Sequence, residues 1–176
     1  MIRTLTAVTG LAALSACTAP GGVGIEGFML PAPEAPAEQA LAAECSGDAA
    51  QSAQMTASLN ATRSAEGKTE LASDARLDQI ALSHACDMAR SGRLDVAGSN
   101  GSNVVDRARA AGYPTCGVVQ LVGRGSAAPA VLGNWMALPP QREQVLGQLS
   151  YQIGSGAVRG ADGQVWHSVV LGNNCR

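Results

Sequence analysis

The sequence predicts an α+β fold in which helices and strands form separate layers. Two helix-periodic segments come first in residues 45–176, a buried strand and a further helix follow, and the chain ends in a β-hairpin. Elements grouped in this way, rather than alternating strand by strand, are typical of a sheet with segregated helices. Residues 45–176 also have the length of one domain with a modest core.

The first two helices are predicted from their ends and their apolar spacing. The first covers about residues 48–65, with Ser46 as a candidate N-cap and Gly67 after its end. For the second, Ser73-Asp74 supplies the cap and Gly92 the C-terminal glycine. One stripe of this second helix contains Leu77, Ile80, Ala81, His84, Ala85 and Met88.

A loop, a short helix and a buried strand are predicted next. Residues 95–103 have the composition of a loop, and a helix over residues 104–111 ends at Gly112. Residues 117–122 are β-branched and apolar enough for a buried strand, and residues 123–126 are expected to form a turn after it.

The last predicted elements are a helix and a hairpin. Pro129 suits the first turn of a helix over about residues 127–137, Pro139-Pro140 is expected to stop it, and residues 143–148 to add one more turn. An Asp-Gly turn within residues 160–163 then joins strands over residues 151–158 and 164–171.

Residues 1–16 are predicted to be a lipoprotein signal peptide. Arg3 supplies a positive charge, and the apolar run that follows is too short to span a bilayer. Because small residues precede Cys17, this cysteine is expected to carry the lipid; the alternative is an ordinary signal peptide, with Cys17 in a disulfide. Thr18 is not aspartate, which favours an outer-membrane lipoprotein facing the periplasm.

Residues 17–44 are predicted to be the lipidated cysteine and a Pro-, Ala- and Gly-rich tether to the domain at 45–176. The net charge of −2 and the pI of about 5.6 give no basic face for a nucleic-acid partner.

Four cysteines remain besides Cys17. In an oxidising compartment they predict two disulfides, with three possible connectivities. None of them forms a CxxC pair, and the chain has only two histidines, so a zinc site of the usual spacing is not expected.

Four groups of residues carry a resemblance to a known family: Leu59-Asn60 with Arg63, His84-Ala85 with Asp87-Met88-Ala89, Gly112-Tyr113, and Trp135-Met136. In this order and spacing, over about residues 55–173, the chain resembles the bacterial branch of the CAP superfamily. This is the SCP domain shared with plant pathogenesis-related proteins and cysteine-rich secretory proteins. The resemblance implies a three-layer α-β-α sandwich with a small, largely antiparallel sheet.

The resemblance also implies a cleft that often holds a divalent cation on two histidines and one or two glutamates. At the corresponding positions this chain has Val96 for one histidine and Gln141 for the other, and the strand that contains Gln120 has no acid. Arg142 matches an arginine of the family. Gln141 and Arg142 are interpreted mainly as the polar start of a short helix, with contact to a ligand as the alternative.

Neither a metal site nor a catalytic site is predicted. Glutamine is a weak substitute for imidazole or carboxylate, and His84, on an apolar stripe, is expected to be a hydrogen-bonded core residue. His167 is the remaining base, and Ser168 beside it is expected to point to the opposite face of its strand. The sequence thus predicts no catalytic residues and no cofactor.

The disulfide pairing depends on the sheet. If the strand after Cys116 and the strand before Cys175 are neighbours, their ends can meet, and Cys116–Cys175 would fix the C-terminus. Cys45 and Cys86 would then form the second disulfide.

The sequence is compatible with three functions for this domain. The favoured one is a non-catalytic binding or scaffold module of the cell envelope, held at the membrane by its N-terminal lipid, with an envelope protein, a glycan or a small apolar ligand as partner. The alternatives are a hydrolase-like envelope enzyme and a purely structural lipoprotein.

Overall fold

A computed structural model describes residues 45–114 and 116–175; the predicted signal peptide, Cys17 and the whole tether lie outside them. The helices are α1 (Ala49–Ala65), α2 (Ala75–Ser91), α3 (Val104–Ala110), α4 (Ala128–Ala137) and α5 (Pro139–Leu146), and the strands are β1 (Ala72–Ser73), β2 (Gly117–Gly125), β3 (Gln152–Arg159) and β4 (Val165–Asn173). The sheet order is β1-β3-β4-β2, with β1 parallel to β3 and the other pairs antiparallel. This confirms the predicted α+β class and the largely antiparallel sheet.

Helices cover both faces of the sheet, which makes the three layers that the resemblance implied. Odd-numbered positions of β3 and β4 pack against α1, α4 and α5 in a cluster that includes Met55, Leu59, Trp135, Val145, Ile153, Val169 and Leu171. Even-numbered positions face α2 and α3, in a cluster of Leu77, Ile80, Ala81, Ala108, Tyr113 and Val170. The period of two along a strand places successive side chains in these two different cores.

Two glycines allow α2 to lie directly on β3. A Cβ atom at Gly154 would lie 2.0 Å from the backbone carbon of Leu77, and one at Gly156 would lie 2.2 Å from the backbone nitrogen of Leu82. No side chain larger than hydrogen fits at either position without moving the helix. The Gly-Ser-Gly sequence at 154–156 therefore serves the packing of helix on strand.

Local predictions are wrong at the start of α1 and at the end of β2. The N-cap of α1 is Asp48, not Ser46, because the Asp48 carboxylate accepts the backbone N–H of Gln51 at 3.1 Å. The turn expected at 123–126 is largely strand, since β2 stays paired with β4 as far as Gly125. A Cβ at Gly123 would lie 2.2 Å from Val131 Cγ1, so the glycine admits α4 instead of turning the chain.

The proline pair at 139–140 both ends one helix and begins another. α4 ends at Ala137, as predicted, but α5 then begins at Pro139 and ends at Leu146, not Gln148. Proline is well suited to the first turn of a helix because the N–H that it lacks has no partner there. The two-residue strand β1 was also not predicted, since two residues carry no readable alternation.

Both disulfides have the pairing that the sequence analysis expected. Cys45–Cys86 joins the chain just before α1 to α2, across a Cα–Cα distance of 6.1 Å. Cys116–Cys175 joins the residues flanking β2 and β4, with Cα atoms 5.0 Å apart. The second pair can form because β2 and β4 are neighbours, with Gly117 opposite Asn173.

Candidate functional site

A buried arginine joins two of the four candidate cleft residues, Val96 and Gln120. Arg107 projects from α3 and has no exposed surface. Its Nη2 donates to the backbone carbonyl of Val96 at 2.9 Å and to the side-chain oxygen of Gln120. Its Nη1 donates to the carbonyl and the hydroxyl of Ser102, at 3.0 and 3.1 Å. The guanidinium thus joins the 95–103 loop to strand β2.

Both polar atoms of the Gln120 side-chain amide form hydrogen bonds. Its oxygen accepts from Arg107, and its nitrogen donates to the hydroxyl of Ser168 on β4 at 2.8 Å. Gln120 is only 7% exposed. An arginine, a glutamine and a serine therefore form one connected network in the layer between the sheet and α3.

The four expected cleft residues do not share one network. Val96 and Gln120 meet through Arg107, although the Val96 side chain is 48% exposed and only its carbonyl takes part. Arg142 forms an exposed ion pair with Glu66, at 3.0 Å to each carboxylate oxygen, and lines a cavity of about 500 Å³ that includes neither Val96 nor Gln120. Gln141, in α5, is half-buried.

Arg107 was not predicted as a site residue. It stands in a run of alternating arginine and alanine, and its helix has only seven residues, too few for an apolar stripe to show which arginine faces inward. The only usable signal is the loop before it, rich in glycine, serine and asparagine, whose backbone carbonyls need donors.

Two polar side chains of α2 fix the same loop. His84 is fully buried, and its Nε2 donates to the carbonyl of Asp95 at 2.7 Å, which confirms a hydrogen-bonded core histidine. Asp87 accepts from the backbone N–H of Ser99 at 2.8 Å and from the Ser99 hydroxyl. Both residues belong to the motif that carries the resemblance, and both anchor the loop.

His167 lies in a different environment, on the face of β4 that is covered by α1 and α4. It has no exposed surface, and neither ring nitrogen has a hydrogen-bond partner among the described residues. Burial lowers the pKa of His167 to about 4, against the attraction of Asp48, which acts in the opposite direction. The imidazole is therefore neutral at pH 7. Ser168 points to the opposite face, where it contacts Gln120.

The larger cavity lies between α1 and α2, over the edge of β3, and has a volume of about 1000 Å³. Most of the lining side chains are small: Gly47, Ala49, Ser52, Ala53, Thr56, Ala57, Ser73, Ala75, Asp78, Gln79, Leu82 and Ser155. This cavity could not be predicted from the sequence, because a run of alanine, serine and threonine opposite Met55 and Leu59 is indistinguishable from an ordinary solvated helix face.

Asp78 is the ionisable residue of this lining. Its Oδ1 accepts the backbone N–H of Ser155 at 2.9 Å, and the Ser155 hydroxyl accepts from Thr56 at 2.8 Å. Burial raises the pKa of Asp78 and outweighs the Ser155 hydrogen bond, while the nearby charge of Asp74 acts in the same direction as burial. The cavity therefore contains a carboxyl whose ionised form is poorly solvated.

Residues 45–114 and 116–175 contain no group of three or more His, Cys, Asp or Glu side chains placed to hold a metal ion. Within the same residues, no helix combines the length and the apolar character needed to cross a membrane.

Solved structures with the same fold come from several bacteria. An outer surface protein from Borrelia burgdorferi superposes with a TM-score of 0.63 at 15% identity, over 68% of this chain and 89% of that one. An extracellular protein containing an SCP domain from Bacillus anthracis gives 0.64 at 18% identity, over 70% and 40%. A cysteine-rich secretory protein from Staphylococcus aureus gives 0.56 at 17%, over 70% and 38%. The chain thus spans well under half of the last two proteins.

No curated protein matches the sequence significantly. The sequence profile of the cysteine-rich secretory protein family, CAP, matches residues 56–171. This range extends from the middle of α1 to near the end of β4. The chain belongs to the CAP family.

Proposed function

We propose that this protein is a lipid-anchored, extracytoplasmic CAP domain that acts as a non-catalytic binding module of the cell envelope. The observation that carries the proposal is the position of Arg107. Its guanidinium donates to the carbonyl of Val96, which the resemblance aligns with a histidine of the family, and to Gln120, in the strand where the family has a glutamate. The positive charge of the Arg107 guanidinium would thus replace the charge of a bound cation.

A divalent cation at this position would be disfavoured for two reasons. It would lie close to a fixed positive charge in a buried region, where charges are weakly screened. It would also find a backbone carbonyl and a glutamine oxygen that Arg107 already uses, in place of the imidazole or carboxylate donors that transition metals prefer. Without a metal, the neighbouring hydroxyl of Ser168 has an amide, not a base, beside it.

The cellular location is proposed from the N-terminal sequence and the cysteines. Small residues before Cys17 favour lipidation at that thiol. Two disulfides are typical of an oxidising compartment. The structural relatives are described as an outer surface protein and an extracellular protein, which supports a domain outside the cytoplasm. The outer-membrane address is proposed from Thr18, which is not aspartate.

A calorimetric titration tests the absence of cation binding. The full chain carrying Cys17→Ser would be secreted in soluble form and titrated with Zn²⁺ and then Ca²⁺ at pH 7, and we expect no stoichiometric site. The triple variant Arg107→Met/Val96→His/Gln120→Glu removes the guanidinium and adds an imidazole and a carboxylate as metal ligands. Its folding is checked by circular dichroism. Zn²⁺ binding by this variant alone supports the proposal. One tight site in the wild-type domain would refute it.

Fractionation tests the anchor. In a Gram-negative host the wild-type protein is expected in the membrane fraction, with a mass increased by the lipid. The Cys17→Ala variant is expected in the soluble periplasmic fraction at a comparable level. Equal solubility of the two proteins would show that Cys17 is not lipidated.

A further inference from the structure

We infer that the cavity between α1 and α2 binds a small amphiphile with a primary ammonium head and an aliphatic body, with the ammonium placed on Asp78. This inference rests on the proposal that the domain is a binding module and names the chemistry of its ligand. The cavity differs from the region around Arg107 and shares no lining residue with it.

The size and the walls of the cavity favour an aliphatic body. Its volume of about 1000 Å³ is at the upper end of the roughly 300–1,000 Å³ that small-molecule sites occupy. One wall is formed by Ala53 and Ala57 of α1 and the other by Ala75 and Leu82 of α2. Short apolar side chains leave room for a chain of methylene groups and offer them apolar contact.

The charge of the cavity favours a cationic head. The described lining contains one carboxyl, Asp78, and no lysine, arginine or histidine. Oδ1 of Asp78 accepts from Ser155, whereas Oδ2 accepts no hydrogen bond from the described residues. A primary ammonium carries three donors. One can bond to Oδ2, and the hydroxyl oxygens of Thr56 and Ser155, which line the cavity 2.8 Å apart, can accept others.

A carboxylate head would be disfavoured here because it would face Asp78 with no basic side chain in the lining. A neutral alcohol would keep the apolar contact but not the ion pair. Since burial raises the pKa of Asp78, an ammonium ligand should favour the ionised carboxyl and lower that pKa again. Amine binding should therefore strengthen as the pH rises through the range in which Asp78 titrates.

The test compares three probes with the same chain length: n-octylamine, octan-1-ol and octanoate. Each is titrated at pH 7 into the secreted Cys17→Ser chain and followed by NMR chemical shifts. Octylamine is expected to bind about tenfold or more tightly than octanoate and more tightly than octanol. Shifts are expected at residues of α1 and α2 that line the cavity.

Three variants locate the binding. Asp78→Asn is expected to bring octylamine to within about twofold of octanol. Asp95→Asn removes a carboxyl on the exposed loop outside the cavity, and is expected to leave all three affinities unchanged. Ala57→Trp, which puts a large side chain into the cavity, is expected to abolish binding of all three probes.

Octanoate binding as tightly as octylamine, or an Asp78→Asn variant that keeps the amine preference, would overturn the inference. Octanol binding without octylamine would overturn the ammonium assignment and still support a binding module. If no probe bound at the cavity, the inference would be wrong. The proposed function would still be tested separately, by the cation titration and the fractionation.

Discussion

Arg107 and Gln120 form a buried hydrogen bond that joins helix α3 to strand β2, and Gln120 passes the connection to Ser168 on β4. The same guanidinium nitrogen holds the Val96 carbonyl. The positions of the 95–103 loop, strand β2 and strand β4 are therefore linked through the side chain of Arg107. A buried charge is costly unless each of its partners is in place, so this network should be sensitive to any single deletion.

We expect Gln120→Leu to destabilise the domain by about 2–3 kcal/mol, because it removes an acceptor from a buried guanidinium and the donor to Ser168. Urea unfolding followed by circular dichroism measures the change. Gln54→Leu, at an exposed position of α1, is the control and should change the free energy of unfolding by less than about 0.5 kcal/mol. Equal stabilities of the two variants would mean that the network contributes nothing.

Arg63 is expected to be the most sensitive residue of the motif that resembles the family. It is 1% exposed, and it donates to the carbonyls of Thr69, Val145 and Gly147, at 2.9, 2.6 and 2.8 Å. Arg63→Met would leave these acceptors without the guanidinium, at a cost of about 3 kcal/mol or more. Arg90→Met, on the exposed side of α2, should be nearly neutral. A melting temperature of Arg63→Met close to that of Arg90→Met would contradict this.

The contrast between two glycines tests how closely α2 lies on the sheet. Gly156→Ala would place a Cβ 2.2 Å from the backbone of α2, so we expect a loss of about 3 kcal/mol or failure to fold. Gly133→Ala, in α4, has no atom within 4 Å of its Cβ, and it should stabilise the domain by about 0.5–1 kcal/mol. Thermal unfolding of both proteins measures the difference. A Gly156→Ala protein as stable as wild type would require a helix that can move away from the strand.

The sequence predicted elements with strong local signals and missed features that depend on tertiary contacts. The stripe of α2, with Asp74 and Gly92 at its ends, and the Asp-Gly hairpin follow from local chemistry, and the structure confirms them. Gly123 was predicted to lie in a turn. A glycine is needed there because Val131 of α4 packs against it, and this contact is not visible in the local sequence.

The inward position of Arg107 and the cavity beside Asp78 were missed for a similar reason. An arginine in a short helix and an alanine-rich helix face have the same local pattern whether they are solvated or form a site. Only the packing of α3 on β2, and of α1 and α2 on either side of β3, distinguishes these cases.

The buried imidazole of His167 should make the domain less stable in mild acid. Its pKa in the folded protein is about 4, below the ordinary value of 6.5, because burial disfavours the charged ring. Below pH 6.5 the unfolded chain therefore binds a proton that the folded one does not, so stability falls as the pH decreases from about 6.5 to about 4, by at most about 3 kcal/mol.

The His167→Leu variant isolates this contribution. The variant lacks the imidazole, whereas the carboxyl groups titrate in both proteins, so their effect on stability cancels when the pH-dependent losses of the two proteins are subtracted. Urea unfolding of the two proteins at pH 7.5 and pH 4.5 measures it: the wild-type protein should lose more stability than the variant. The same loss in both would show that His167 is already protonated when folded, or that it gains a partner in acid.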